Sequence, residues 1–315
     1  MLLKDQERAS KVVKGFIEAD RIPTALLFLG PQGVGKTAIS LDTAGSILCL
    51  EESLWGCGEC RSCRAFFPQA KELLSGLTEK YRFTEESGGR RRLLYLRLEH
   101  PDFVAVVPDG NSIKVHQIRA VKEFAYIKPA LSGRKVILID GCDNMTPEAS
   151  NALLKVLEEP PADTHFILTA LKKESILPTV LSRTVAVNLG PLPEEVFSEL
   201  VGGNGNLYDI SGGSVTKALI LTQDGEILAL AEKFVKGDLT DRIRIGERIE
   251  SADQDKKMIF IDILESKFID AYMKKAMDYS KFETLLRKVG EIREGITRGI
   301  RLSLGLSIIA DIMED

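Results

Sequence analysis

Apolar positions along the chain repeat first at helical spacing and then in short continuous runs. Over residues 5–19, Val12, Val13, Phe16 and Ile17 share one face, which predicts an amphipathic helix. Ala25-Leu26-Leu27-Phe28-Leu29 is a short apolar run and predicts a strand buried on both faces. The helical period returns at Thr37, with Ala38, Ile39, Leu41 and Ala44, and runs to about Cys49. Further strands are predicted at Phe103–Val107, Lys135–Asp140, His165–Thr169 and Thr184–Val187. Between them, after the turn Pro108-Asp109-Gly110-Asn111, Val115–Lys128 places Ile118, Val121, Phe124 and Ala125 on one helix face. Thr146-Pro147-Glu148 is a helix start, with a capping hydroxyl, a proline in the first turn and an acid near the positive end. The helix it opens, Ala149–Glu158, presents Ala152, Leu153, Val156 and Leu157, and Pro160-Pro161 stops it. Strands alternating with helices predict an α/β fold whose sheet is mostly parallel and buried.

After Leu189-Gly190-Pro191 the strand pattern ends. Pro193–Val201 reads as a short helix, and another begins at Ile210-Ser211-Gly212-Gly213-Ser214 and carries Ala218, Leu219 and Leu221. Residues 226–315 read as helical throughout. One stripe is Phe260, Ile261, Ile263, Leu264, Phe268 and Ile269; another is Ile296, Ile300, Leu304 and Ile308. Both stripes are expected to be helix-packing faces. Residues 70–99 carry no clear period. Their distinctive feature is Arg90-Arg91-Arg92 directly after Gly88-Gly89, which reads as a solvated loop, or as a basic tip able to touch phosphate.

Length and composition narrow the picture. A chain of 315 residues predicts two domains and allows three. With 44% hydrophobic and 28% charged residues, a core can form without disulfides. The formal net charge of −4 gives no global signal for nucleic acid, so any DNA contact must be a local patch or be shared with partner chains. No apolar run is long enough to span a membrane, and the N-terminus turns charged at once, unlike a signal peptide. A cytoplasmic location is the expectation, with thiols kept reduced.

Two stretches carry candidate chemistry. Gly30-Pro31-Gln32-Gly33-Val34-Gly35-Lys36-Thr37 matches G-x-x-x-x-G-K-[ST], between a predicted strand and a predicted helix. Glycines at 30, 33 and 35 let the backbone turn its N–H groups inward, and the helix N-terminus adds positive potential, so the loop can cradle phosphates. Lys36 would reach the terminal phosphates and Thr37 would ligate Mg²⁺. In such a fold the apolar strand ending at Asp140 places that acid near the same metal. Thr169, at the end of a later strand, is either a sensor of the terminal phosphate or a plain strand-end hydroxyl. The second stretch is Cys49 followed by Cys57-Gly58-Glu59-Cys60-Arg61-Ser62-Cys63. Two overlapping C-x-x-C knuckles and a fourth cysteine supply a tetrahedral set for a structural zinc with no open position; the alternative is four unrelated thiols, with or without a redox pair among them.

With these motifs in place, the chain resembles the bacterial DNA polymerase III clamp loader family of AAA+ ATPases, and within it the delta-prime subunits. The resemblance rests on the loop Gly30–Thr37, the cysteine cluster after its helix, and Asn151-Ala152-Leu153-Leu154-Lys155-Val156-Leu157-Glu158-Glu159-Pro160-Pro161. Leu181-Ser182-Arg183 matches the family's serine-arginine motif, with Thr184 where cysteine is usual. The match covers about residues 1–220, and 70–99 looks like an insertion. It implies three domains: a core at 1–189 with the cysteine module at 49–63, a small helical lid at 190–235, and a helical collar for oligomerisation at 236–315. It implies a hetero-pentameric ring with other clamp-loader subunits, a sliding clamp and primed DNA as partners, and ATP with Mg²⁺ as a possible ligand. Arg183 would project into a neighbour's ATP site, or else form a structural salt bridge. Hydrolysing relatives follow the Walker B aspartate with a glutamate and carry a lid arginine; here Gly141 and Thr216 stand at those positions, with Asp143 and Lys217 nearby. Both departures favour weak or absent hydrolysis at this chain's own site. The rival readings are a hydrolysing gamma/tau-type motor subunit and a zinc-dependent DNA-binding protein using Arg90–Arg92.

Overall fold

The computed structural model describes residues 6–202, 207–223, 225–297 and 299–314. The chain falls into two compact units, Met1–Leu192 and Pro193–Asp315. In the first unit the order is α1 (Glu7–Glu18), β1 (Ala25–Leu29), α2 (Lys36–Leu48), α3 (Arg61–Leu74), β2 (Arg82–Ser87), β3 (Arg90–Arg97), β4 (Phe103–Val106), α4 (Val115–Tyr126), β5 (Lys135–Ile139), α5 (Pro147–Glu158), β6 (Thr164–Ala170), α6 (Pro178–Leu181) and β7 (Val185–Asn188). The seven strands form one sheet in the order β2-β3-β4-β5-β6-β1-β7. Pairing is parallel from β4 to β7 and antiparallel at β2–β3 and β3–β4.

The continuous apolar runs are buried on both faces. Leu26 and Phe28 of β1, with Val136 and Leu138 of β5, pack against Val13, Ile39, Leu41 and Phe66 on α1 to α3. Their neighbours Leu27, Leu29, Ile137 and Ile139 pack against Ile118, Val121, Leu153 and Val156 on α4 and α5. The result is a three-layer α/β unit, as the alternation of elements requires.

Residues 70–99 depart from the expected loop. α3 continues to Leu74, and β2 and β3 form a hairpin added to the sheet edge. Gly88 and Gly89 lie at φ 59° and 73°, the left-handed conformation that a two-residue hairpin turn demands. Arg90, Arg91 and Arg92 are therefore strand residues, although fully solvated as expected.

The second unit is helical: α7 (Glu194–Leu200), α8 (Tyr208–Ser211), α9 (Val215–Gln223), α10 (Gly225–Lys236), α11 (Leu239–Glu250), α12 (Gln254–Met273), α13 (Tyr279–Thr297) and α14 (Leu302–Glu314). Phe234 of α10 shares one core with Phe260, Leu264 and Phe268 of α12 and Leu285 and Val289 of α13, so α10 and the helices α12 and α13 are joined by common packing. The stripe on α12 is buried except for Ile269. The second stripe is not a packing face: Ile300, Leu304 and Ile308 are exposed, and α14 buries Leu302, Leu306, Ile309 and Ala310 instead. Gly299, at φ 80°, breaks the helix after α13, so the register that ends at Ile296 does not carry into α14.

Candidate functional site

The C-terminal ends of β1, β5 and β6 lie side by side, and the loop after β1 folds over them. Gly30 sits against the backbone that follows β7: a Cβ there would meet the Leu189 carbonyl oxygen at 2.5 Å. Gly33 and Gly35 have φ of 76° and 94°. Gly35 is the N-cap of α2 and supplies no side-chain cap, so the first N–H groups of α2 remain available to an anion. The Lys36 ammonium donates to the carbonyls of Gly30 (2.8 Å) and Pro31 (2.7 Å). Burial lowers its pKa, while the carboxylates of Asp140 and Asp143 act in the opposite direction.

Asp140 gathers the remaining groups. Its Oδ2 accepts from the Thr37 hydroxyl at 3.0 Å, and its Oδ1 accepts from the Thr169 hydroxyl at 2.5 Å. Thr169 Oγ1 in turn accepts from the Gly141 N–H at 2.8 Å. Lys36, Thr37, Asp140 and Thr169 thus come together from three strand ends beside the glycine loop. The donors fit a triphosphate and the Thr37–Asp140 pair fits a divalent cation; bound there, such a nucleotide would supply the phosphoryl group and its metal.

Gly141 does more than omit a side chain. Its φ of 77° is left-handed, and a Cβ would lie 2.9 Å from the Asn144 amide nitrogen. The turn it starts, Cys142–Asn144, carries Asp143 back toward the site, where its carboxylate accepts from the Leu171 N–H at 3.4 Å. Residue spacing carries no sign of that bend. Nor does it mark Gln6, a buried amide that donates to the Val34 carbonyl at 3.1 Å and the Gly190 carbonyl at 2.7 Å and so ties the segment before α1 to the phosphate loop.

Arg183 follows α6 and is exposed. Its guanidinium pairs with Glu158 at 2.9 Å and donates to the Thr179 carbonyl and the Ser182 hydroxyl, not to phosphate-loop residues. An ion pair this exposed contributes little and opens readily. In the helical unit, Thr216 is exposed and Lys217 is held by Asp262, which also pairs with Arg293.

The four cysteines meet where α2 ends and α3 begins. Cys49 is the C-cap of α2, Cys60 is the N-cap of α3, and Cys63 lies in the first turn of α3, so only Cys57 is a true loop residue. Their sulfurs all lie within 4.8 Å of one another. A tetrahedral thiolate site with metal–sulfur bonds near 2.3 Å has sulfurs about 3.8 Å apart; Cys57 and Cys63 are at 3.9 Å. Backbone N–H groups of Cys57, Cys60 and Cys63 point at the sulfurs of Cys49, Cys57 and Cys60. Burial opposes ionisation of Cys60, but the N–H groups of Cys63 and Leu50 outweigh it and bring the thiol down to about 6. Burial pushes Cys63 the other way. The set could hold a metal ion with no open position.

Behind the cluster, the buried Ser62 hydroxyl donates to the Leu48 carbonyl at 2.5 Å and meets His100 Nε2 at 2.7 Å. His100 Nδ1 accepts from the Asp102 N–H at 3.2 Å. The Asp102 carboxylate accepts from the amides of Ala130, Leu131 and Ser132. Ser62, His100 and Asp102 are therefore a buried tie between the cysteine module and the sheet. Ser62 is committed as a donor to backbone and is no nucleophile.

Comparison with known proteins places these features. A family model described as DNA polymerase III, delta subunit matches residues 5–82 and 84–193. The chain is 32% identical over 238 residues to the DNA polymerase III subunit delta' of Bacillus subtilis, a match spanning 73% of this chain and 63% of that one. It is 34% identical over 241 residues to the subunit delta' of Pseudomonas aeruginosa, spanning 72% and 65%. A gamma/tau subunit of Mycobacterium tuberculosis is 29% identical over 62% of this chain and 29% of its own. These matches cover less than two thirds of the relatives' own lengths. The crystal structure of a gamma subunit-related protein from Thermotoga maritima superposes with a TM-score of 0.54 at 17% identity, covering 98% of each chain, and shares the fold. The chain belongs to the DNA polymerase III delta subunit family and is a homologue of its delta' members.

Proposed function

We propose that this chain is a clamp-loader subunit of the delta-prime kind. In a hetero-pentameric ring with other clamp-loader subunits, it helps open a sliding clamp and place it on primed DNA, and it offers Arg183 in trans to a neighbour's ATP site. The observation that carries this reading is the pairing of an exposed Arg183 with a left-handed Gly141: the arginine is available to a partner, while the chain's own site has no glutamate after Asp140 and no backbone geometry that welcomes one. The phosphate loop binds ATP with Mg²⁺ through Lys36, Thr37 and Asp140, with Thr169 against the Walker B acid, and turnover there is weak or absent. Cys49, Cys57, Cys60 and Cys63 hold a structural zinc that substitutes for a local core at the end of α2. The helical unit divides by role into a lid at 190–235 and a collar at 236–315. The protein works in the cytoplasm; among the described residues no helix is long and apolar enough to cross a membrane. The gamma/tau relatives favour a second reading, a hydrolysing motor subunit, which Gly141 opposes. Replacing Arg183 by alanine in the assembled complex and measuring ATP turnover separates the two.

A further inference from the structure

The β2–β3 hairpin is not used by the phosphate loop, the cysteine cluster or Arg183, and its charges are unspent. Only Leu96 and Arg97 of β3 pair with β4, at Ala105 and Val104. Nearer the tip, the two strands pair with each other alone, so residues 84–92 form a two-stranded ribbon running past the edge of the sheet. At the tip, Gly88 and Gly89 have nothing within 4 Å of where a Cβ would stand, so it opens onto solvent. The ribbon carries Arg90, Arg91 and Arg92, all exposed.

None of these three guanidiniums has an ion-pair partner or a side-chain hydrogen bond among the described residues. By contrast, Arg82 at the ribbon's base is paired with Glu79 and Asp109, and Arg97 lies over the Phe83 ring. The register sets Glu85 opposite Arg92, Glu86 opposite Arg91 and Ser87 opposite Arg90. The two acids leave the ribbon with an excess of positive charge in a chain whose formal net charge is −4. Alternation along a strand puts Arg90 and Arg92 on one face, about 7 Å apart, and Arg91 on the other. Guanidinium is a planar fork of donors suited to phosphate oxygens. A two-stranded ribbon is also narrow enough to enter a duplex groove.

We propose that this hairpin is a contact site for the phosphodiester backbone of DNA, with Arg90 and Arg92 on phosphates of one strand and Arg91 reaching across the ribbon. The site is separate from Arg183 and from the nucleotide loop, so it stands or falls without them. A solubility role, in which charge blunts an exposed sheet edge, is the competing account.

The test is fluorescence anisotropy with the full chain, on labelled single-stranded, duplex and primed oligonucleotides at several salt concentrations. Variants are the triple Arg→Ala form at 90, 91 and 92 and the triple Arg→Glu form, which keeps the edge charged. The wild type is expected to bind with a log–log salt slope of about −2 for two phosphate contacts on a duplex. Both variants should lose about tenfold or more in affinity and bring the slope close to zero; the Arg→Ala form should keep its melting temperature, while the Arg→Glu form, which sets acids opposite Glu85 and Glu86, should melt somewhat lower, so the Arg→Ala form carries the test. Whichever oligonucleotide shows the larger loss identifies the source of the phosphates. Salt slopes equal in wild type and variants, no binding by the wild type at low salt, or equal binding to a polyglutamate peptide would each overturn the proposal.

Discussion

Lowering the pH from about 7.5 to about 5 should weaken the first unit in large part through His100, with His165, whose pKa burial also lowers, acting in the same direction. The His100 ring is fully buried, at 0% exposure, and lies edge-on to Phe66. Because Nδ1 accepts from the Asp102 N–H, the proton of the neutral ring sits on Nε2 and faces the Ser62 hydroxyl, which already donates to Leu48. A second proton on Nδ1 would confront an N–H donor. Burial accordingly lowers the His100 pKa from 6.5 to about 4, against an opposing pull from Asp102. Above pH 6.5 the ring is neutral folded or unfolded and adds no pH dependence. As the pH falls below 6.5 the unfolded chain takes up the proton and the folded chain does not, so stability is lost down to about pH 4. Linkage puts the loss at about 2 kcal/mol by pH 5 and about 3 kcal/mol at its limit. Urea unfolding followed by the single tryptophan, Trp55, which packs against this core, reads the change. His100→Gln keeps a donor toward Ser62 and cannot titrate. It should be less stable than wild type at pH 7.5 yet lose about 2 kcal/mol less on acidification. Equal losses in the two proteins would exclude His100 as the source, because every other titrating group is common to both.

Two other substitutions test the sites directly. Cys60→Ser should lower the bound metal from about one ion per chain and lower the melting temperature, read by elemental analysis and calorimetry. Since α2 runs from Lys36 to the Cys49 cap, about 20 Å, the same variant should bind a fluorescent ATP analogue more weakly. Gly141→Glu should not create an ATPase: it places a side chain at φ 77°, costs about 1–3 kcal/mol of stability, and should leave turnover of the isolated chain at the wild-type level.

Much of the first unit could be read from the sequence because its strands are buried on both faces. β1 and β5 carry five apolar or stem-burying residues each, a pattern no loop shares, and the glycine spacing before Lys36 defines a turn that few other loops need. The cysteine spacing was legible for a similar reason, since ligand geometry acts over a few residues. What failed was longer-ranged. β2 and the tip half of β3 alternate little because both are exposed beyond the sheet edge, so Arg90–Arg92 carry no strand period. The approach of Asp143 depends on the left-handed turn at Gly141, and the Ser62–His100 contact spans 38 residues. Periodicity predicts the wrong face of α14 because the break at Gly299 resets the helical register. Arg183 forms the intrachain salt bridge that was the alternative expectation for it, with Glu158, and remains exposed.

Action on ATP through a neighbour, as proposed, can be read in the assembled complex. The direct measurement is clamp- and primed-DNA-stimulated ATP turnover of the reconstituted complex with this subunit as wild type, Arg183→Ala or Lys36→Ala, with assembly checked by gel filtration. Arg183→Ala is expected to assemble normally and cut turnover sharply, by up to about 10³-fold at the neighbouring site, while Lys36→Ala changes turnover little. Unchanged turnover with Arg183→Ala, together with its loss in Lys36→Ala, would exclude the trans role and make this chain the motor.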